Sequence, residues 1–282
     1  MDRIIFLQVL LSGVIHALWN FAAKKSSGNL AVNWLAQFVG AFVLLPFAMA
    51  ENGFVQISSL GFKCVIAAGV IQSFYFWLLS ASYRTGEISV VYPVARGLGI
   101  AGSAAVGIFF FGDLVSTIGS VGIVTISSGT LIIGIGQMRQ RGANLVPLFF
   151  AAAVALSLVF SAYVDKAGVA VAPAATYLCL VYVVSSLFSA PLFLLRYREG
   201  VSIAIKSQKR LVGVVGTGAA FSYLIILFAM RTGPLGYILA VREIAVVGGA
   251  VLGVSFLQEE VTKSKVLGII AIVFGIVLIK LS

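Results

Sequence analysis

This sequence is short of charge. Asp, Glu, Lys and Arg make up 10% of its 282 residues, against roughly a quarter in a soluble domain. An ordinary water-facing surface is therefore excluded, and no stretch is left over for a soluble domain. His16 stands alone, so there is no His cluster for zinc. The two cysteines, Cys64 and Cys179, fall in apolar stretches and read as small apolar fillers, not as a disulfide or metal pair. Acidic residues number nine and are scattered at span ends, without a paired Asp motif, which argues against an enzyme. No nucleotide-binding motif is present, so ATP drive is not expected, and no cofactor or metal is called for.

What is there is apolar: 61% of residues, in recurring runs of near-membrane length. A run of ~20 residues rises ~30 Å as a helix, the thickness of the hydrocarbon layer. Ten runs can be placed, at about 4–23, 30–50, 63–83, 87–110, 115–137, 145–165, 174–195, 210–230, 235–257 and 263–281. The fold class is an all-α polytopic membrane protein. A transmembrane barrel would show short alternating segments, and these are missing. The first run has the length of a signal peptide, but it carries His16 and Asn20 and leads into Lys24-Lys25, so it is expected to be the first span. Short gaps make neighbouring spans antiparallel. The longest gap, Arg196–Lys209, is basic and reads as a surface loop.

The net charge is +10. In a soluble protein this would point to nucleic acid. Here the basic residues sit between apolar runs and read as topology signals and contacts to anionic lipid head groups, with no nucleic-acid partner. Loops after odd-numbered spans hold most of them, led by Arg196, Arg198, Lys206, Lys209 and Arg210. The expectation is that those loops are cytoplasmic and both termini lie outside.

The chain also rhymes with itself. Val91-Tyr92-Pro93-Val94-Ala95-Arg96-Gly97 and Ile238-Leu239-Ala240-Val241-Arg242-Glu243 each place an arginine inside an apolar run. On insertion scales such an arginine costs at least ~2.5–3.5 kcal/mol unless paired or hydrated. From Val94 to Gly134 an offset of 146 maps the first half onto the second without a gap. It pairs Arg96 with Arg242, Gly102 with Gly248, Gly107 with Gly253, Asp113 with Glu259, Ser116 with Thr262, Gly122 with Gly268 and Gly129 with Gly275. Upstream the offset is 147, and Arg84-Thr85-Gly86 pairs with Arg231-Thr232-Gly233. The expected organisation is two five-helix repeats, 1–141 and 142–282. Five is odd, so the second is threaded in the opposite direction, as in many secondary transporters. Counted from opposite faces, Arg96 lies roughly 13 Å and Arg242 roughly 11 Å into its helix, both within ~5 Å of the midplane.

These motifs, the acidic exits Phe111-Gly112-Asp113 and Leu257-Gln258-Glu259, and the first-helix stretch His16-Ala17-Leu18-Trp19-Asn20 through Lys24 resemble the drug/metabolite transporter superfamily in its EamA-like branch. The resemblance covers nearly the whole chain. It implies a transporter and leaves the substrate open among amino acids, amines, nucleotide sugars and other metabolites. Two departures stand out. Asp113 takes the place where the family more often has Glu, and no proline in the second half matches Pro93. Pro93 frees a backbone carbonyl within its span, so the two halves are not expected to kink alike.

Residues three, four and seven apart share a helix face. This collects Ser12, His16 and Asn20 with Trp19 beside them, then Asn33 and Gln37, then Gln72 and Tyr75. It also collects Ser89, Tyr92, Arg96, Gly99 and Ser103, and Ser157, Ser161 and Asp165, the last near its helix end. Arg242 is followed by Glu243. The expected substrate cavity is lined by His16, Trp19, Asn20, Gln37, Gln72, Tyr75, Tyr92, Arg96, Ser161, Arg242 and Glu243. Gly122, Gly129, Gly268 and Gly275 give spans five and ten smooth faces for close packing, with each other or across a homodimer.

Most of these residues have two readings. Arg96 and Arg242 either bind a substrate carboxylate or phosphate or serve structure and gating by pairing with Glu243 and freed carbonyls. The second takes precedence, because the motif resembles one shared by carriers of varied cargo. Glu243 is read as a counter-ion before a proton-coupling group. His16 is either a titrating switch or a hydrogen-bonded core histidine. Trp19, Tyr75, Trp77 and Tyr92 either stack on substrate or anchor packing. Asp113 and Glu259 are expected to tie helix ends at the surface. The expected function is secondary-active export or exchange of a small polar metabolite, such as an amino acid or amine, across a bacterial cytoplasmic membrane, with proton coupling as one drive. The alternatives are a lipid-linked-substrate carrier or flippase and, more remotely, a membrane enzyme.

Overall fold

Capping chemistry sets the first helices. The Asp2 carboxylate accepts from the amides of Ile4 and Ile5 at 2.8 and 3.2 Å, which satisfies two donors that a helix start leaves unpaired. Asn29 does the same for Ala31 at 3.1 Å. The structure, a computed structural model, describes residues 1–84, 88–141 and 146–282. In chain order the helices are α1 (Arg3–Lys24), α2 (Leu30–Ala50), α3 (Gly53–Gln56), α4 (Ser59–Arg84), α5 (Ile88–Phe111), α6 (Thr117–Arg141) and α7 (Val146–Val171). There follow α8 (Ala174–Pro191) with a π-helical turn at Leu192–Arg196, α9 (Arg198–Ser207), α10 (Lys209–Thr232), α11 (Leu235–Val241), α12 (Ile244–Leu257) and α13 (Lys263–Leu281). No strand occurs among the described residues. Ten spans among them are long and apolar enough to cross a membrane, with α11 and α12 together making the ninth. Thr85 and Gly86 lie outside the described residues, as do the side chains of Arg84 and Ser89 and the stretch 142–145 beside the expected repeat boundary.

Large apolar side chains point outward all round the bundle, among them Phe42, Phe109 and Leu195. An exposed apolar surface of this extent fits lipid, not water. Inside, the main core joins α1, α2, α8, α10 and α11, with Tyr177, Ile226, Leu235 and Ile238 fully buried. Small polar clasps tie helices where backbones come close. Ser12 and Ser222 each donate to the other's carbonyl, at 2.8 and 3.1 Å. Trp34 Nε1 donates to the Ser186 carbonyl at 3.0 Å.

The helices α6 and α13 pack on each other with no side chain between them at four positions. A Cβ at Gly129 would sit 2.7 Å from the Gly268 carbonyl oxygen, and one at Gly275 would sit 2.7 Å from that of Gly122. The smooth faces are thus used within one chain.

Three expectations from the sequence need correction. The segment Arg196–Lys209 is not a loop: Val201 and Ala204 are buried, and this spacing makes α9 a short amphipathic helix among the basic residues. The sixth span does not end at Asp165. It runs on to Val171, which leaves Asp165 buried at 2% exposure. The ninth span is not one helix. It breaks at Arg242-Glu243, where the bonds tighten to Glu243 N–Ala240 O and Ala245 N–Arg242 O, a local i to i−3 pattern of the kind found at functional hinges. By contrast α5 runs through Pro93 without interruption. The two halves do differ here, but the break lies in the half without the proline.

Candidate functional site

Charged groups meet where the helix breaks. Arg96 projects from α5, and its Nη2 donates to Glu243 Oε1 in the turn between α11 and α12. The Glu243 side chain is fully buried and that of Arg96 is 14% exposed. An unpaired carboxylate there would be prohibitive, so the arginine is its partner by necessity. Arg242 turns the other way. Its Nη2 lies 3.0 Å from His16 Nδ1 on α1. A guanidinium only donates, so Nδ1 must accept, and the imidazole is neutral with its proton on Nε2. The Arg242 guanidinium also lies over the Tyr223 ring of α10, 5.1 Å from its centroid, a cation–π contact. Gly13 lets α1 approach the break: a Cβ there would meet Ile244 Cγ2 at 2.3 Å.

Tyr223 extends the cluster. Its hydroxyl binds Asp165 Oδ2 on α7. Asp165 also accepts from Tyr177 of α8 at 2.9 Å and from Ser161 at 3.1 Å. Five helices therefore meet through side chains, from Arg96 and Glu243, past Arg242 and His16, to Tyr223 and Asp165. Arg242 Nε and Glu243 Oε2 have no hydrogen-bond partner among the described residues, so unsatisfied polar atoms of both signs remain at the centre.

Of the residues expected from sequence, Arg96, Arg242, Glu243, His16 and Ser161 meet in this cluster, with Tyr92 and Tyr75 in electrostatic reach of Arg96. Trp19 joins edge-on to His16, its ring centroid 4.8 Å away. Asn20 donates to the carbonyl of His16 at 2.8 Å, within its own helix. Gln37 is buried with both amide atoms unpartnered among the described residues. Gln72 is half-buried, and no hydrogen bond among the described residues joins it or Gln37 to the arginines. Asp165, like Glu243, is an acidic residue buried deep in a span. Sequence reasoning missed Tyr177 and Tyr223, since a lone tyrosine in an apolar run looks like packing. The Ser157, Ser161, Asp165 stripe was the one available signal.

Two further ion pairs join residues of the first 141 positions to residues beyond them. Lys166 Nζ meets Asp113 Oδ1 at 2.5 Å, with side chains 12% and 10% exposed. Asp113 Oδ2 also accepts from Leu235 N at 2.6 Å. Lys24 Nζ meets Glu259 Oε1 at 2.9 Å, with side chains 52% and 32% exposed, and Lys265 reaches Oε2 at 3.4 Å. Burial pushes the Glu259 carboxyl up, but hydrogen bonding and charge from Lys24, with Lys265, hold it below the usual carboxylate range. The two helix ends that carry these carboxylates are built alike. Gly112 and Gln258 adopt left-handed backbone at φ 65° and 53°. The amides of Asp113 and Glu259 close back on the carbonyls of Gly107 and Gly253 at 2.9 and 3.2 Å, which satisfies at each end a carbonyl that a helix terminus leaves unpaired. Gly107 and Gly253 leave room for the carboxylates to fold back, since a Cβ would meet them at 2.5 and 2.8 Å. Spans four and nine run in opposite senses by parity among the ten, so the two ion pairs stand at opposite membrane faces.

Ten spans with charges buried at their middle define a polytopic helical membrane protein. Residues 145–281 match the EamA-like transporter family, and residues 52–126 match the Small Multidrug Resistance protein family. Together with the ten spans, these two matches support an EamA-like protein of the drug/metabolite transporter superfamily. A solved crystal structure superposes with a TM-score of 0.74 at 15% identity, over 100% of this chain and 99% of the other. At that identity the likeness is one of fold. Comparison with curated proteins yields no match.

Proposed function

We propose that this protein is a secondary-active exporter or exchanger of a small polar metabolite, an amino acid or amine in the first instance. It works by alternating access between two inverted five-helix repeats, 1–141 and 142–282, and carries out no chemistry on its cargo. The observation that carries this reading is the buried cluster of Arg96, Glu243, Arg242 and His16, which joins helices of both halves at mid-span depth. A cargo that replaces part of that network gains hydrogen bonds only inside the protein, where the unpartnered atoms of Arg242 and Glu243 await donors and acceptors. The broken ninth span supplies the backbone irregularity that such sites use. The like-built ends at Asp113 and Glu259 support the repeat. Their ion pairs, one at each face, are the contacts that would open in turn. The setting for this role is a bacterial cytoplasmic membrane, with the basic loops on the cytoplasmic side.

A thermal-stability screen of the purified protein tests the reading. Amino acids, amines, nucleosides and organic acids are added in turn, and a ligand at about a hundred times its Kd stabilises by about 2.7 kcal/mol. The expected hit is an amino acid or amine, and Arg242→Ala abolishes the shift. If instead no metabolite shifts the melting point and vesicles show lipid translocation, the flippase alternative replaces this one.

A further inference from the structure

The two buried carboxylates, Glu243 and Asp165, differ in the kind of partner they have. Glu243 is held by Arg96. A guanidinium keeps its proton and cannot accept a hydrogen bond, so a proton arriving on Glu243 would strand a buried cation. Asp165, 2% exposed, is held by three hydroxyls, those of Ser161, Tyr177 and Tyr223, and has no salt-bridge partner among the described residues. Hydroxyls donate and accept by rotating. They satisfy the ionised carboxylate by donating to it, and the protonated carboxyl by one of them accepting from it.

The surroundings can be taken helix by helix. From α8 Tyr177 and Tyr182 face Asp165, from α10 Tyr223, from α4 the Cys64 thiol, and from the break between α11 and α12 the Arg242 guanidinium. On α5, Arg96 is turned to Glu243. Next along α7, Lys166 points to Asp113. Among the described residues no cation is paired with Asp165, and the Arg242 guanidinium lies over the ring of Tyr223, whose hydroxyl binds Asp165.

We infer that Asp165 is the proton-binding site of this transporter, a role that Glu243 does not share. The proton comes from water and resides on a carboxylate oxygen of Asp165 within the Tyr177, Tyr223 and Ser161 cradle. Its arrival removes one of the two negative charges near Arg242, and this links protonation to the candidate cargo site. Lys166 adjoins Asp165 and forms the buried ion pair with Asp113, so opening that pair moves the helix segment that carries the proton site and lets water reach it. The use of the proton in transport rests on the function proposed above. The existence of the site does not.

Infrared difference spectroscopy of the full chain in lipid vesicles, titrated from about pH 9 to about pH 4 across the carboxylate range, reads the proton without any cargo. Wild type is expected to gain a protonated-carboxyl band from a buried group as pH falls. Asp165→Asn removes that band, Asp165→Glu retains it at a shifted frequency, and Glu243→Gln leaves it unchanged. Should Asp165→Asn fail to fold, Asp165→Glu decides by the frequency shift. The inference is overturned if wild type shows no such band, if the band survives in Asp165→Asn, if Asp165→Glu leaves its frequency unmoved, or if Glu243→Gln abolishes it. An unsuccessful cargo screen leaves this result standing, and a failed titration leaves the transporter reading standing.

Discussion

Arg96 and Glu243 make each other tolerable in the bundle interior. Removing either partner leaves a buried charge without compensation, a loss of about 3–5 kcal/mol, whereas replacing both with apolar residues of similar volume is often neutral. Arg96→Met and Glu243→Leu are therefore each expected to lower the melting temperature sharply, and the double variant to recover most of it. Equal losses in single and double variants would show that the ion pair does not hold the break. Glu259 gives a milder case with a definite sign. Its carboxyl lies below the ordinary range in the folded protein, so the stability it adds is present above its unfolded pKa of about 4.3 and fades as pH falls through the lower folded value. Wild type should melt above Glu259→Gln at neutral pH, and the gap should close in strong acid. The gap is small, under about 1 kcal/mol, because the pair with Lys24 is largely solvated.

At the scale of elements, the tightest constraint is the seam between α6 and α13. The Gly129 position faces the Gly268 carbonyl, and a side chain at either must push one helix away. Gly129→Val is expected to destabilise by about 1–3 kcal/mol, the usual cost of overpacking, measured by thermal unfolding in detergent. Gly213, which faces open space, is the control: Gly213→Ala should leave the melting point unchanged or raise it slightly, as Ala is the better helix former. This seam was legible from Gly122, Gly129, Gly268 and Gly275 because smallness at helical spacing has few uses inside a membrane. The break at Arg242-Glu243 was not legible, since neither residue is a helix breaker. The structure places it where their side chains leave for partners on different helices.

For the whole molecule, the two ion pairs at opposite faces differ in burial, Asp113 with Lys166 being the more enclosed. In the alternating-access cycle proposed above, opening one face loosens the contacts of that face alone. Lys166→Met is expected to speed amide hydrogen exchange at Leu235, whose N–H donates to Asp113, while Lys24→Met leaves Leu235 unaffected. Exchange that rises equally in both variants would mean that the faces are not separately latched.

Composition and periodicity determined the ten spans and the all-helical class, because lipid tolerates only backbones that satisfy themselves and helices of ~20 residues do so. They also singled out Arg96 and Arg242, since a guanidinium is rare and costly at that depth. Only the tertiary structure decided which of them holds Glu243, that His16 accepts from Arg242, and that Asp165 stands buried among hydroxyls. A side chain's partner is set by which helices lie side by side, and neighbours in space here are 147 and 226 residues apart in sequence.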